Sequence, residues 1–324
     1  MSKTAKKLLI IAITALLAVV AVLAFLRFRS EGRLQGRLVF ARTYDAGEKI
    51  DNIVITSNVG SIRLRQTDGY WTLPDYGGYY ADFRIISRFL DTLNSSTYAV
   101  PMPYSDELYA KAHLHSPLQE KQNSGILLQT YAGEELVDAV VIGINDERNR
   151  YFFASSPDSR RIWLVNGDYD IPYLTSEWLP HPIVDIPSSA IEMINIDGQV
   201  VGRSLSIEEF RDRLGVGVNV DMLTGILSSL DVDAVMSRQL FDEQYPDISV
   251  SRIYDITTFY GLMFHFNLYE PQKNRLWVSI KLLSDTLPKT AVSDYIKDNS
   301  FLYEDWYFSI SPLQRDFLLN YKLM

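Results

Sequence analysis

The sequence predicts an α+β protein in which an N-terminal transmembrane helix is followed by two similar units, each a mostly antiparallel sheet with a packed helix. Three observations predict this fold class: one 19-residue apolar run, many short apolar segments typical of strands, and a set of elements that recurs in the second half of the chain. Apolar residues make up 47% of the 324 residues and charged residues 22%. This composition excludes an intrinsically disordered or collagen-like protein.

The apolar run extends from Leu8 to Leu26 and contains no charged residue. As a helix that rises 1.5 Å per residue it would be about 28 Å long, close to the roughly 30 Å hydrocarbon core of a bilayer. A helix buried in a soluble domain usually keeps one polar face, and this run has none. We therefore predict that residues 8–26 cross a membrane once, and that residues 1–37 form the membrane anchor with its basic juxtamembrane segment.

A cleaved signal peptide is the alternative interpretation of this run. Its apolar region is usually 7–15 residues long and ends at a small-x-small cleavage site, whereas this run is longer and continues directly into Arg27. An uncleaved signal-anchor is therefore favoured, which predicts a single-pass protein of the bacterial inner (cytoplasmic) membrane with a periplasmic C-terminal body. The opposite orientation stays open, because Lys and Arg nearly balance at the two ends of the run.

Charge divides the chain unevenly. The formal net charge is −9, but residues 1–37 hold seven Lys or Arg and one acid, a net of +6, which leaves −15 for the body. An acidic body is repelled by anionic headgroups and argues against nucleic-acid binding, so we expect it to dock on other subunits of a membrane complex. The chain has no cysteine, which excludes a disulfide scaffold, a thiolate nucleophile and a lipoprotein anchor.

The first predicted unit covers residues 38–178. An isoleucine-rich strand near residues 50–56 is followed by two strands joined by a tight turn at Asp68-Gly69. Asp82 is a good N-cap for a helix whose apolar residues recur every three or four positions. Further strands follow to residue 166. The segment 180–187 contains three prolines and predicts an extended connector to the second unit, residues 179–324.

The second unit repeats the pattern of the first. Four pairs of segments match in the same order, which predicts an internal duplication. The pairs are 50–56 with 191–197, the helix that begins at Asp82 with one that begins at Asn219, the strands that begin at Gly125 with those at Gly261, and 151–166 with 306–320.

Several stretches of the body together resemble a known bacterial family. They are the strand end Gly69–Leu73, the step Tyr79–Asp82 into a helix, the hairpin within residues 151–165, and the stretch from Trp178 to Pro187. Residues 45–200 resemble the bacterial domain of unknown function numbered 4340. The resemblance implies a membrane-anchored protein associated with ABC-transporter components of the gliding-motility type. It implies no established enzymatic activity.

One loop concentrates aromatic residues. Five of them fall within eleven positions, and they are the candidate partner or ligand contacts: Tyr70, Trp71, Tyr76, Tyr79 and Tyr80. Tyr and Trp are enriched at the energetic centres of interfaces, and exposed rings can stack on sugars. The alternative is structural, with Trp71 and one tyrosine fixing the hairpin to the helix that begins at Asp82.

The chain carries no motif for a catalytic, cofactor or metal site, so we predict none of the three. His113 and His115 are too few ligands for structural zinc, and His265 lies in an apolar strand as a half-buried sheet residue. The expected function is a non-enzymatic accessory protein of an ABC-type transport or motility-like complex. The alternatives are an envelope glycan- or peptide-binding module and an envelope hydrolase, which would need two convergent acids.

Overall fold

The computed structural model describes residues 34–146, 148, 150–167, 169–202, 220–272, 275–284 and 290–321. The predicted membrane span, residues 8–26, and the predicted cap Asn219 lie outside these residues. No helix within the described ranges combines the length and the apolar character needed to cross a membrane. The described residues form an α+β fold whose strands pair antiparallel, which confirms that part of the predicted fold class.

Short helices separate runs of consecutive strands along the chain. The helices are α1 (Ala41–Ala46), α2 (Phe83–Ser95), α3 (Asp106–Lys111), α4 (Val220–Ser228), α5 (Arg238–Gln244), α6 (Thr290–Asn299) and α7 (Pro312–Asn320). The strands up to residue 166 are β1 (Asn52–Thr56), β2 (Ser61–Thr67), β3 (Tyr70–Leu73), β4 (Tyr79–Tyr80), β5 (Thr97–Met102), β6 (Ile126–Ala132), β7 (Glu135–Asn145), β8 (Tyr151–Ser155) and β9 (Ile162–Asn166). The later strands are β10 (Val184–Asp185), β11 (Ile191–Ile196), β12 (Gln199–Gly202), β13 (Ser229–Leu230), β14 (Val232–Ser237), β15 (Arg252–Thr258), β16 (Leu262–Gln272), β17 (Arg275–Ser284) and β18 (Trp306–Ile310).

The chain divides into two compact units that differ from the predicted 38–178 and 179–324. Unit 1 contains residues up to 63 together with 87–173, and unit 2 contains residues 64–86 together with 174 onward. The difference is the segment 64–86, which groups with the second half of the chain. Its side chains explain this, because Tyr76 and Tyr79 donate hydrogen bonds to the carbonyls of Asp233 and Leu302.

In unit 1 the strand order is β2-β1-β6-β7-β8-β9-β5, with β2 contributing its residues up to Arg63. Among the apolar side chains of these strands, Ile53, Ile55 and Leu128 are fully buried. The start of β5 is covered by the segment before α1, because Gly36 N donates to Tyr98 O at 2.7 Å and Tyr98 N donates to Arg37 O at 3.0 Å. This part of the edge is therefore already paired.

In unit 2 the strand order is β12-β11-β15-β16-β17-β18-β14. Alternation along β16 buries Phe264 and Phe266 on one face and leaves His265 half-buried on the other, as the sequence predicts for that histidine. At one end of this second face, Phe241 of α5 stacks on Tyr307 of β18, with ring centroids 3.8 Å apart. Trp277 completes this small apolar cluster.

The two predicted local signals in the segment 64–86 are both confirmed. Thr67 pairs with Tyr70 across a two-residue turn in which Asp68 and Gly69 have φ values of 52° and 84°. Positive φ at both positions is the hairpin geometry that favours Asp-Gly. Asp82 caps α2, since its Oδ1 accepts from Arg84 N at 2.7 Å.

The strand orders of the two units correspond element by element, and the first two predicted pairs agree with them, because β1 corresponds to β11 and α2 to α4. The two later pairs do not. The sequence equates the strand that begins at Gly125 with the one that begins at Gly261, which are β6 and β16. In the strand orders, β6 stands in the place of β15, and β16 in the place of β7. The prediction slips by one strand because consecutive strands of a meander have similar lengths and apolar patterns, so the pattern does not distinguish neighbours.

Candidate functional site

The tyrosine loop, residues 70–80, lies in unit 2 and forms a tight meander. β3 leads into a short 3₁₀ helix, Pro74–Tyr76, and the chain then reverses at Gly77 and Gly78, whose φ values are 68° and 89°. These positive values suit glycine, which has no Cβ to clash with the backbone. The reversal brings β4 back beside β3, so that Tyr79 pairs with Leu73.

Tyr79 is a core residue of unit 2 and not a surface contact. Its side chain is 1% exposed, and its ring packs edge-to-face on Trp306 and Phe308 of β18, with centroids 5.0 Å and 5.5 Å away. Its hydroxyl donates to Leu302 O at 3.3 Å. Burial raises the pKa of the Tyr79 phenol well above its ordinary value. A ligand at the surface would not reach this ring.

Tyr76 and Trp71 are also tied into the fold. The Tyr76 hydroxyl donates to Asp233 O at 3.3 Å, a carbonyl on β14, which is an edge strand of the unit 2 sheet. Trp71 is half-buried, and its backbone carbonyl accepts a hydrogen bond from Ala81 N at 2.9 Å. The loop therefore has the structural role that the sequence analysis gave as its alternative. Tyr76 and Tyr79 attach it to β14 and to the β18 region, whereas the sequence suggested attachment to the helix that begins at Asp82.

The other two candidates, Tyr70 and Tyr80, come together with a third ring, Phe301. The ring centroids of Tyr80 and Phe301 are 5.0 Å apart at 84°, and those of Tyr70 and Tyr80 are 5.4 Å apart at 77°. Tyr70 and Phe301 are 5.7 Å apart at 49°. We call Tyr70, Tyr80 and Phe301 the aromatic corner.

Phe301 is a site residue that the sequence analysis missed. It lies in the 3₁₀ turn Ser300–Leu302, far along the chain from the tyrosine loop. A signal was present, because residues 301–308 hold five aromatic residues in eight positions, a density higher than that of the tyrosine loop. That signal alone does not say which of the five remain at the surface.

The aromatic corner opens into a pocket of about 490 Å³, within the range of ligand sites. Its lining residues are Thr67, Asp68, Tyr70, Thr72, Gly77, Gly78, Tyr80 and Phe301. Asp68 is the charged member of this lining. The pKa of the Tyr80 phenol is raised, chiefly by burial and then by the negative potentials of Tyr70, Asp68 and Asp305. The pocket is thus aromatic and electrostatically negative.

The histidines make separate, smaller arrangements. His115 Nδ1 lies 3.1 Å from Glu120 Oε2, and His113 is exposed, with a positive φ of 56°. His265 Nδ1 lies 2.6 Å from Asp255, which also accepts from Asn195 at 2.9 Å, a carboxylate partner that the sequence did not reveal. In the described ranges, no three or more His, Asp or Glu side chains gather in a way that could hold a metal ion.

Comparison with models of protein families, with curated proteins and with solved structures found no match for this chain. The resemblance to the family numbered 4340 therefore stays a prediction.

Proposed function

We propose that the protein is a non-enzymatic, single-pass accessory subunit of an ABC-type transport or motility-like complex of the bacterial inner membrane, with its body in the periplasm. In this proposal the aromatic corner is the surface that meets a partner subunit. The observation that carries it is the pocket of unit 2, where Tyr70 is 52% exposed beside two further rings. Exposed tyrosine in a concave site is typical of interface hot spots.

The anchor part of the proposal is supported by the sequence and by the start of unit 1. The apolar run of residues 8–26 has the length of a membrane span. Ten residues after Leu26, the chain is already held by the fold, because Gly36 N donates to Tyr98 O at 2.7 Å. This arrangement suits a body attached by a short connection.

The duplication part of the proposal is supported by strand order. The orders given above contain seven strands for each unit, and the two sets are connected in the same way. In chain order, α2 and α4 follow the second strand of their sets, and α3 and α5 precede the fourth. We infer that both units derive from one ancestral α+β unit, and that the tyrosine loop is an elaboration used for partner contact.

The proposal is tested by placing a photo-activated crosslinking residue at Tyr70 of the full chain in native membranes. Tyr104 is the matched control, an exposed tyrosine of unit 1. We expect crosslinking at position 70 to recover a subunit of a membrane transporter, and crosslinking at position 104 not to recover it. Recovery of the same proteins from both positions, or of no transporter subunit, would refute the proposal.

A second candidate is an envelope glycan- or peptide-binding module, favoured by the carboxylate and hydroxyl groups of Asp68 and Thr67 beside the rings. Thermal unfolding with and without envelope glycan fragments distinguishes it. A ligand-dependent rise in melting temperature that disappears in Tyr70→Ala and Phe301→Ala would favour this module. Tyr76 and Tyr79 are unsuitable for this test, because their loss would disturb the fold itself.

A further inference from the structure

The three rings of the aromatic corner meet at steep angles. Tyr80 meets Phe301 and Tyr70 edge to face, at 84° and 77°, so each contact covers part of a ring face, and the rest of the three rings lines one side of the pocket. The face of an aromatic ring carries negative electrostatic potential, and a cation within about 6 Å of a ring centroid is attracted to it. A group seated in the pocket would contact more than one such ring.

Asp68 is the charged residue of the described pocket lining. Asp68 is exposed, and its carboxylate makes no ion pair or hydrogen bond within the described ranges. The described lining contains no Lys or Arg, and Asp305 adds a second negative potential at the Tyr80 hydroxyl. The turn geometry holds Asp68 at the pocket mouth, since Thr67 and Tyr70 pair on either side of it.

We propose that the aromatic corner binds an organic cation, the ammonium or guanidinium end of a Lys or Arg side chain on the partner protein. The rings would supply cation–π attraction and Asp68 a charge-assisted hydrogen bond. This inference rests on the proposed function, because it takes the cation from a protein partner. An anionic ligand would be repelled by Asp68, and a neutral sugar could donate a hydrogen bond to it but would not neutralise its charge.

The volume supports a side chain more than an isolated small ion. A pocket of about 490 Å³ is larger than one ammonium group requires. The additional space adjoins Gly78, where a side chain would meet nothing within 4 Å, which leaves room for the aliphatic stem of a basic residue. The site therefore fits a lysine or arginine presented on an extended segment.

The test is a titration of the full chain in lipid nanodiscs by ligand-observed NMR, with a matched pair of probes. The first probe is Nα-acetyl-lysine methylamide, and the second is the same molecule with its ε-amine acetylated, which keeps the stem and removes the charge. We expect the charged probe to bind at least about tenfold more tightly than the neutral one. Equal binding of both probes would overturn the proposal.

Two variants connect the binding to this pocket. Asp68→Asn removes the charge but keeps a residue that tolerates positive φ, so the turn is retained. We expect it to weaken the charged probe about fivefold or more, and Phe301→Leu to do the same by removing one ring. Asp75→Asn is the control, an exposed acid of the same loop outside the pocket lining. Unchanged binding in both pocket variants would overturn the assignment.

Two further probes test the source of the cation. Choline binding without lysine binding would overturn the protein side chain as the source, and tighter binding of N-acetylglucosamine than of the charged probe would overturn the cation itself. The titration needs no partner, so its failure is distinguishable from failure of the crosslinking at Tyr70.

Discussion

At the scale of single residues, the buried carboxylate of Asp138 holds the start of unit 1 in place. Its oxygens accept from Thr43 N at 2.8 Å, from the Thr43 hydroxyl at 2.9 Å and from Arg42 Nε at 3.0 Å. The side chain thus satisfies one free backbone amide in the first turn of α1, that of Thr43, the task that a cap residue of the helix usually performs. Phe40, at the cap position itself, makes no side-chain hydrogen bond.

Replacing Asp138 by Ala should lower the free energy of unfolding by about 3 kcal/mol, because several hydrogen bonds to a charged group are lost and buried donors remain unpaired. Urea unfolding of the full chain, followed by aromatic fluorescence, measures this change. Glu135→Ala is the control, since Glu135 is an exposed acid of the same strand, and we expect a change within about 0.5 kcal/mol. Equal effects of the two substitutions would contradict the role given to Asp138.

Tyr79 gives a pH dependence whose sign follows from its burial. Its folded-state pKa lies well above the ordinary 10.0, so the unfolded chain loses the phenol proton first. This contribution to stability is therefore complete below about pH 10 and is lost as the pH rises further. We expect Tyr79→Phe to cost about 1 kcal/mol at neutral pH, for its bond to Leu302, and to lessen the alkaline loss of stability. Unfolding curves at pH 8 and pH 11 check both parts, and an unchanged alkaline slope would contradict them.

At the scale of elements, two glycines allow the chain after α3 to lie against the sheet of unit 1. A Cβ on Gly143 would lie 2.0 Å from Ala112 O, and one on Gly125 would lie 2.2 Å from Ile142 O. Both obstacles are backbone atoms, which cannot rotate away as the end of a side chain can. Strands β6 and β7 therefore need glycine at these points for reasons of space.

Gly143→Ala should destabilise unit 1 severely, by about 3 kcal/mol or more, because the strand or the segment at Ala112 must shift. Gly60→Ala is a suitable comparison, since a Cβ there meets nothing within 4 Å. Thermal unfolding and the yield of folded protein provide the measurement. Equal melting temperatures for the Gly143→Ala and Gly60→Ala variants would show that Gly143 does not lie so close to Ala112 O.

Arg252 binds the end of helix α7, beside the Tyr254 hydroxyl, which donates to Leu318 O at 2.6 Å. Arg252 Nη1 donates to the carbonyls of Leu318 and Leu319, at 3.1 Å each, and to that of Tyr321, while its Nε donates to Asp197 at 3.0 Å. The last carbonyls of a helix have no partner within the helix and carry partial negative charge. The Arg252 guanidinium donates hydrogen bonds to several of these carbonyls at once.

Arg252→Gln should cost about 2 kcal/mol and should accelerate amide hydrogen exchange in α7, because the carbonyls at the helix end lose a charged donor. Mass spectrometry of peptides from α7 and α2 shows whether the change is confined to α7. Lys297→Gln removes an exposed cation from the last turn of α6 and should leave exchange in both helices unchanged. Equal acceleration in α2 would mean general destabilisation and would contradict the local role.

The same scale shows what sequence can predict here. The hairpin turn at Asp68-Gly69 and the cap at Asp82 depend on residues adjacent in the chain, and both are confirmed. The aromatic corner joins Phe301 to rings more than 200 positions earlier, which no local pattern encodes. The grouping of the segment 64–86 with unit 2 was missed for the same reason, since it depends on bonds from Tyr76 and Tyr79 to distant carbonyls.

At the scale of the whole molecule, the proposed topology gives a clear expectation. In that topology the predicted span is a signal-anchor, and the C-terminus lies outside the cytoplasm. We expect alkaline phosphatase fused after Met324 to be active and green fluorescent protein at the same position to be dark. An inactive phosphatase with a bright fluorescent protein would place the body in the cytoplasm and would remove the periplasmic part of the proposal.

The hydrogen bond between Gly36 and β5 limits the length of the linker between the predicted span and unit 1. In the proposed topology, only ten residue steps separate Leu26 from Gly36, which corresponds to a reach of about 35 Å even when fully extended. A partner in the same membrane would then meet unit 1 at an effective concentration in the millimolar range. Contacts with a Kd well below a millimolar would then be nearly saturated, even where the free partner is scarce. Shortening or lengthening this linker would change the effective concentration, and so the occupancy of the complex, without altering any contact residue.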